Sequence, residues 1–159
     1  TEDYKMGTKR VGLARTQALI QNLKRELTMG GSTLAGVKRK TSNITASTTV
    51  TATDSGTVYF VDSAGATVIT LPTAAAAGAG WWIRVVLTDE PATSVAVTAN
   101  TNELAGLVVA ADGLDQSDAS TTYTIDSSGN IGDWLEITCN GSLMYIQGNI
   151  EAIADGAFS

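Results

Sequence analysis

The Asp-Ser-Gly triplet at residues 54–56 is the first segment whose residue types and spacing suggest catalysis. Aspartic proteases carry such a triplet, but their chemistry needs two carboxylates that share a proton and an apolar segment before each. Here the preceding residues are Thr-Ala-Thr, and Asp, Ser and Gly all occur readily in turns. The triplet therefore predicts a turn in front of a strand, not a protease site.

A second acidic segment, ADGLDQSDAS, contains three aspartates that could bind a cation through oxygen ligands. Asp112, Asp115 and Asp118 are spaced differently from the ligands of an EF-hand loop, and the terminal Glu of such a loop is missing. The segment favours a solvated acidic loop, with a calcium ion held by these three residues as the alternative.

Asp133 and Glu136, on either side of Trp134, have the residue types of a glycosidase pair. Three residues apart on one strand, they point to opposite faces, so they are not expected to share a substrate. Trp81 and Trp82 are adjacent, so one ring should enter the core while the other faces outward. We expect the outward ring at a subunit interface or partly buried, with stacking on a sugar as the third possibility.

Other kinds of site are excluded by composition. The chain has no histidine and a single cysteine, Cys139, which rules out disulfide frameworks, cysteine-based zinc sites and imidazole catalysis. The apolar run GWWIRVVL is too short to cross a bilayer, and no signal peptide is evident at the start. We expect a soluble, unexported protein that is not an enzyme, needs no cofactor and does not bind a membrane.

From residue 41 onward the sequence has the pattern of strands. Apolar runs of five to eight residues alternate with turn signals, and Asn140-Gly141 between two of them is a strong hairpin signal. The core should consist of small and β-branched side chains, because aromatic residues are scarce. PTAAAAGAG, residues 72–80, is predicted to be a surface loop. Eight strands at this spacing predict a mainly β domain, a β-sandwich or jelly roll: TVYFVD, ATVITLP, GWWIRVVLT, TSVAVTAN, GLVVA, TTYTID, WLEITC and LMYIQGN.

The first 40 residues instead show helical spacing. An apolar stripe repeats every three or four residues and predicts an amphipathic α-helix over about residues 11–28, ended by Gly30 and Gly31. A helix of this length needs a packing partner, which is its own domain or another subunit. The stripe consists of Leu13, Thr16, Ile20, Leu23 and Leu27.

Charge divides the chain at the same place. Residues 1–40 carry nine basic and three acidic side chains (+6), whereas residues 41–159 carry one basic and thirteen acidic (−12), which together give −6. The expected domains are therefore a basic helical arm with a Gly-rich linker, residues 1–40, and an acidic β-sandwich, residues 41–159. Tyr4 is the arm's only aromatic residue, and no nucleic-acid-binding module surrounds it, so we expect no nucleic-acid partner. The basic residues assigned to an interface are Lys9, Arg10, Arg15, Lys24, Arg25, Lys38, Arg39 and Lys40.

Three segments, KRVGLARTQALIQNLKREL, TATDSGTVYFVDSAGATVITLP and GDWLEITCNGSLMYIQGN, together span much of the chain. They resemble the small virion structural proteins of tailed bacteriophages, especially those of marine bacteria. The second and third segments are similar to β-modules of phage decoration proteins and tail fibres. The resemblance implies a protein that sits on an assembled particle, often as a trimer, and adds contacts between capsid subunits.

These observations predict a capsid decoration (cement) protein on the outer surface of the virion capsid. The arm would bind the major capsid protein or another virion protein, and the acidic domain would face outward. The alternative is a tail-fibre or receptor-recognition module, in which the arm inserts into the tail and the sandwich reads a host glycan.

Overall fold

The computed structural model describes residues 15–18, 38–62, 64–91, 93–151 and 156–159. Lys38–Ser159 forms one compact unit and Thr1–Val37 another, and each is described by itself. The boundary lies three residues before the predicted start of the β domain at residue 41.

In the first unit, residues 15–18 are α-helical and exposed, and they include Arg15 and Thr16 of the predicted arm. The rest of the predicted helix 11–28 lies outside the described residues. The same holds for most of its predicted interface residues, which are Lys9, Arg10, Leu13, Ile20, Leu23, Lys24, Arg25 and Leu27.

The second unit is mainly β, as predicted, and consists of two sheets. A seven-stranded sheet has the strand order β1-β3-β5-β10-β11-β7-β8, and a five-stranded sheet has the order β12-β9-β6-β4-β2. The strands are β1 (Lys40–Ile44), β2 (Thr48–Thr49), β3 (Thr57–Val61), β4 (Thr67–Thr70), β5 (Ala79–Leu87), β6 (Ser94–Thr98), β7 (Leu104–Ala110), β8 (Gly113–Ser120), β9 (Thr122–Asp126), β10 (Trp134–Asn140), β11 (Met144–Ile150) and β12 (Gly156–Phe158).

The first six strands alternate between the sheets. β1, β3 and β5 are parallel neighbours in the larger sheet, and β2, β4 and β6 are parallel neighbours in the smaller one. The chain between two of these parallel neighbours therefore runs through a strand of the other sheet. In most proteins a helix makes such a connection. The later strands extend both sheets, with β10 antiparallel to β5 and β9 antiparallel to β6.

One hydrophobic core contains side chains from both sheets. Every second residue of the long strands is buried, as the alternating pattern requires, and Val, Ile and Leu predominate among the buried residues. Trp81, Tyr59 and Tyr123 are the large aromatic members. Cys139 is buried in the same cluster, where its Sγ donates to the Ala74 carbonyl at 3.4 Å.

All eight predicted strands are present, but the jelly-roll prediction is wrong in its connectivity. A jelly roll is antiparallel, whereas β1–β3, β3–β5, β2–β4, β4–β6 and β7–β11 are parallel pairs. Alternation of apolar and polar residues fixes the buried face of a strand without fixing its direction. The sequence pattern also missed four strands, which are β1, β2, β8 and β12.

The prediction of a surface loop over residues 72–80 is also corrected. Ala74–Ala77 is a helical turn whose N-cap, Thr73, accepts a hydrogen bond from the Ala76 amide at 3.2 Å through Oγ1. Ala74 is buried in the core, and its amide donates to the Glu103 carboxylate at 2.9 Å. Ala74 packs on the core whereas Ala75 and Ala76 are exposed, so the segment lies at the surface but is a helical turn rather than an irregular loop.

The predicted hairpin at Asn140-Gly141 is confirmed between β10 and β11. Gly141 has a φ of 94°, and the Asn140 Oδ1 accepts hydrogen bonds from the Ser142 and Leu143 amides at 2.8 and 2.9 Å. The Asn side chain thus satisfies the backbone of the turn, while Gly supplies the positive φ.

Gly106 of β7 marks a close approach between two parallel strands. It pairs with Ile146 of β11 and has a φ of 151°, and a Cβ there would collide with the Ile146 carbonyl. We expect Gly106→Ala to lower the free energy of unfolding by more than about 2 kcal/mol, because it adds backbone strain to steric overlap. Chemical denaturation measures this loss.

Gly65→Ala is the matched control, since nothing lies within 4 Å of a Cβ at that loop position. It should change stability by no more than about 0.5 kcal/mol. A Gly106→Ala protein as stable as the Gly65→Ala protein would contradict the close packing of β7 against β11.

Candidate binding surface

The Asp-Ser-Gly triplet forms the predicted turn before β3. The Asp54 Oδ2 accepts hydrogen bonds from the Thr51 amide at 2.9 Å and the Thr51 hydroxyl at 2.8 Å, and Oδ1 pairs with the Lys40 Nζ at 3.0 Å. The backbone hydrogen bond from Thr51, followed by that from Lys40, lowers the pKa of Asp54 to about 2. This carboxylate is engaged in holding the turn and the start of β1.

The three aspartates considered for calcium are not brought together. Gly113–Ser120 is the edge strand β8, not a loop, and Asp115 and Asp118 lie three positions apart on it, so their side chains leave opposite faces. Asp112 is exposed in the preceding turn. Within the part of the chain that the structure describes, no group of three or more His, Cys, Asp or Glu side chains could hold a metal ion.

Asp133 and Glu136 point to opposite sides of the seven-stranded sheet, as predicted. Asp133 is buried, and its Oδ2 accepts from the Asn130 amide at 2.9 Å. Glu136 is on the other side, where its Oε2 is 2.8 Å from Arg84 Nη2. The two carboxylates therefore cannot act on one glycosidic bond.

The solvent side of β5, β10, β11 and β7, named here the outer face, carries the candidate binding surface. Its centre is a polar ladder across three strands, formed by Arg84, Glu136 and Gln147. Arg84 Nε donates to the Glu136 Oε2 at 3.1 Å, and Gln147 Nε2 donates to the Oε1 at 3.3 Å. Both oxygens of the carboxylate are thus engaged, and its charge is neutralised by the guanidinium.

On one side of the polar ladder lies an aromatic trough, made of Trp82, Thr138 and Tyr145. Thr138 pairs with Trp82 on β5 and with Tyr145 on β11, so the short Thr lies between two rings whose strands are about 10 Å apart. Cavities of about 370 and 220 Å³ open beside Trp82 and Tyr145, and Thr138 lines both. The Tyr145 hydroxyl accepts from the Asn140 Nδ2 at 3.2 Å, which fixes that ring.

As predicted, one of the two adjacent tryptophans enters the core and the other faces outward, and the structure shows which is which. Trp81 is in the core, and Trp82 is half-buried with the guanidinium of Arg39 at 5.4 Å from its ring centroid. Arg39 and Lys40 were assigned to the basic interface of the arm. In the structure all three basic residues 38–40 are exposed, and Arg39 and Lys40 contact Trp82 and Asp54 of the β unit.

An apolar strip, formed by Leu107, Val109 and Leu114, begins at the end of the polar ladder, where Leu107 pairs with Gln147, and continues away from the aromatic trough. Val109 pairs directly with Leu114 of β8, and Leu107 is two residues before Val109 on the same face of β7. Their exposed fractions are 38%, 41% and 60%. A cavity of about 370 Å³ lies between this strip and Trp134, whose ring is covered by the Arg84 guanidinium at 4.5 Å.

Sequence reasoning missed the polar ladder, Tyr145 and the apolar strip. Each lies at an alternate position of a predicted strand, so their shared face could have been inferred within a strand. Their neighbourhood across strands depends on the order β5-β10-β11-β7, which local alternation does not contain.

This arrangement offers ring faces, aliphatic surface and hydrogen-bonding groups, and is suited to binding. Tyr123, a buried phenol elsewhere in the core, is poorly placed for acid–base work, because burial raises its pKa, with Asp115 and Asp133 adding to the effect.

The fold and the outer face thus define a two-sheet, mainly β protein whose larger sheet presents aromatic, aliphatic and hydrogen-bonding side chains to solvent. Comparison of the chain with protein-family models, curated proteins and solved structures finds no match. Among the residues that the structure describes, no helix is long and apolar enough to span a membrane.

We predict that Asp54→Asn destabilises the protein at pH 7 by about 1 kcal/mol, a value kept small because the carboxylate is partly exposed. The pKa of Asp54 is lower in the folded protein than the usual 3.9, so its stabilising contribution is present above about pH 4. That contribution is lost as the pH falls through about 2. Urea unfolding of both proteins at pH 7, 4 and 2.5 measures the difference.

Asp62→Asn controls for the loss of one negative charge at an exposed site just after β3. If the Asp54→Asn difference stayed constant from pH 7 down to pH 2.5, the hydrogen bonds from Thr51 and Lys40 would not be what stabilises the turn.

Proposed function

We propose that this protein is a virion structural protein, a decoration (cement) protein on the outer surface of a phage capsid. The observation that carries the proposal is the division of the chain at residue 38 or 41 into a basic amphipathic part and an acidic β unit. Such a division suits one part for attachment and the other for display. The resemblance of three sequence segments to phage virion proteins supplies the kind of particle.

In this proposal the arm attaches the protein to the major capsid protein or another virion protein. Leu13, Ile20, Leu23 and Leu27 bury apolar surface against the shell, at about 25 cal/mol per Å². Because Arg39 and Lys40 already contact the β unit, steering falls to the basic residues further forward, Lys9, Arg10, Arg15, Lys24 and Arg25. The protein assembles as a homo-oligomer, with a trimer favoured, and many copies reinforce one lattice through multivalency.

Deletion of residues 1–30 should abolish binding to capsids and leave a folded β unit, because Lys38–Ser159 is compact by itself. Co-sedimentation with particles measures binding, and circular dichroism checks the fold. The double variant Lys24→Glu, Arg25→Glu in the full chain should weaken loading, and raised salt should weaken wild-type loading, because exposed charges are screened within about 8–10 Å.

Full occupancy by the truncated protein would show that the arm is not the anchor. Loading that is indifferent to both salt and the charge reversal would leave attachment to the apolar stripe alone.

The aromatic trough favours a second candidate function, glycan recognition by a tail-fibre or receptor-binding module. The apolar faces of a sugar pack on aromatic rings, and its hydroxyl groups bond to polar side chains. Trp82 and Tyr145 flank Thr138, and the polar ladder lies in the adjacent row of the sheet. The cavity of about 370 Å³ beside Trp82 is within the size range of small-molecule sites.

Under this candidate, Trp82→Ala and Tyr145→Ala should each weaken saccharide binding about tenfold, as expected for the loss of roughly 1.4 kcal/mol of stacking. A glycan array followed by calorimetry on the selected saccharide measures the loss. Trp134→Ala is the control, because that ring is on the same face but is covered by Arg84.

Absence of saccharide binding by the wild type, or equal losses in all three variants, would remove this candidate. Copy number separates the two functions: hundreds of copies on the head favour decoration, whereas a few at the tail favour the fibre.

A further inference from the structure

We infer that the apolar strip of Leu107, Val109 and Leu114 is where a second copy of this chain docks, face to face with the outer face. The inference names the contact surface of the homo-oligomer in the proposed function and rests on that oligomer. Its test uses isolated protein, so it can fail independently of binding to capsids.

Exposed aliphatic side chains are concentrated at one place on the outer face. Opposite residues of an antiparallel pair have Cβ atoms about 5 Å apart, so Val109 and Leu114 form one continuous apolar surface, which Leu107 extends along β7. The groove between this strip and Trp134 gives the surface a concave part. The outer face of the five-stranded sheet differs, since a row of threonines, Thr49, Thr70, Thr98 and Thr122, crosses it.

Charged residues are distributed unevenly over the β unit. Residues 41–159 carry a net −12, yet β5, β10, β11 and β7 contain only Arg84 and Glu136 as charged residues, and these form an ion pair. The outer face of these four strands is therefore neutral on a strongly acidic unit. Two acidic units can approach each other with least repulsion where both present such a face.

The chemistry of the apolar strip favours one kind of partner. A basic partner would gain most from the acidic parts of the surface and would have no need of the neutral strip. A saccharide would find no hydrogen-bonding side chain among Leu107, Val109 and Leu114. A partner that is acidic overall and has an exposed apolar surface meets least repulsion where this unit is uncharged, as at the strip. Another copy of this unit has both properties.

The acidic edge strand β8 limits how two copies can associate. β8 ends the seven-stranded sheet as described, and an edge strand could pair directly with that of a neighbour. Asp115 and Asp118 lie on β8 and Asp112 just before it, and like charges brought together across such a pair are destabilising. Association across the outer face avoids this strand-to-strand pairing and leaves the exposed Asp112 and Asp118 at the rim of the contact.

Sedimentation equilibrium of the full chain tests the inference, with Val109→Glu and Val68→Glu as a matched pair. Val109 and Val68 are strand valines with exposed fractions of 41% and 39%, but Val68 lies on the five-stranded sheet. The wild type should have a mass that is at least twice the 16.4 kDa of one chain. Val109→Glu should raise the dissociation constant at least about 30-fold, as for a residue at the centre of an interface, and Val68→Glu should leave it unchanged.

Leu114→Glu provides a second variant at the more exposed edge strand, in case Val109→Glu does not fold, and it should dissociate the oligomer similarly. Raised salt should preserve or tighten this association, because it screens the repulsion between acidic units, whereas it should weaken the binding of the arm to capsids.

A wild-type protein that is monomeric at about 100 μM would overturn the inference, since an oligomer with a dissociation constant in the micromolar range would be mostly assembled at that concentration. Equal dissociation by Val68→Glu would overturn it as well, because that residue lies on the five-stranded sheet. An oligomer unaffected by both Val109→Glu and Leu114→Glu would also overturn it and would assign self-association to another part of the chain. Loss of capsid binding with an intact oligomer would instead contradict only the proposed attachment.

Discussion

The two sheets are held by one shared apolar core, and the rest of the structure depends on it. Each sheet contributes alternate side chains to the same cluster, with Ile83, Leu135 and Ile146 from the larger sheet and Ile69 and Val97 from the smaller. Full burial of such a side chain stabilises the fold by about 1.5–3 kcal/mol. Each sheet buries its inner apolar side chains against the other, and the first six strands pass from one sheet to the other in turn.

This constraint also determines what is left for binding. Since the inner positions of β5, β10, β11 and β7 are used for the core, every alternate residue faces solvent, and its identity is free to serve another purpose. On the five-stranded sheet the outward positions are mainly Thr, Ser and Ala. On the outer face of the larger sheet they include Trp, Tyr, Leu and Val, which stability of the core does not require. That contrast is the physical reason to take the outer face as the candidate binding surface of the β unit.

The local pattern of the sequence predicted much of the fold, because alternation is a property of single strands. It located the eight strands that have apolar residues at every second position, and the Asn140-Gly141 hairpin. It missed β8 because GLDQSDAS lies at a sheet edge, where aspartates are tolerated in contact with water. It missed β1 because KTSNI has one buried residue. Strand direction and order were inaccessible, since a parallel and an antiparallel neighbour can cover the same face of a strand.

The direction of a surface side chain could be predicted only where two adjacent residues of a strand must point to opposite faces. Trp81 and Trp82 cannot both enter the core, so the outward ring followed from adjacency alone. The basic residues at positions 39 and 40 were read as free interface charges because the sequence does not show that Trp82 and Asp54 lie beside the start of β1. Arg39 lies over the Trp82 ring and Lys40 pairs with Asp54, so the contacts of both side chains depend on the strand order β1-β3-β5, which local alternation does not contain.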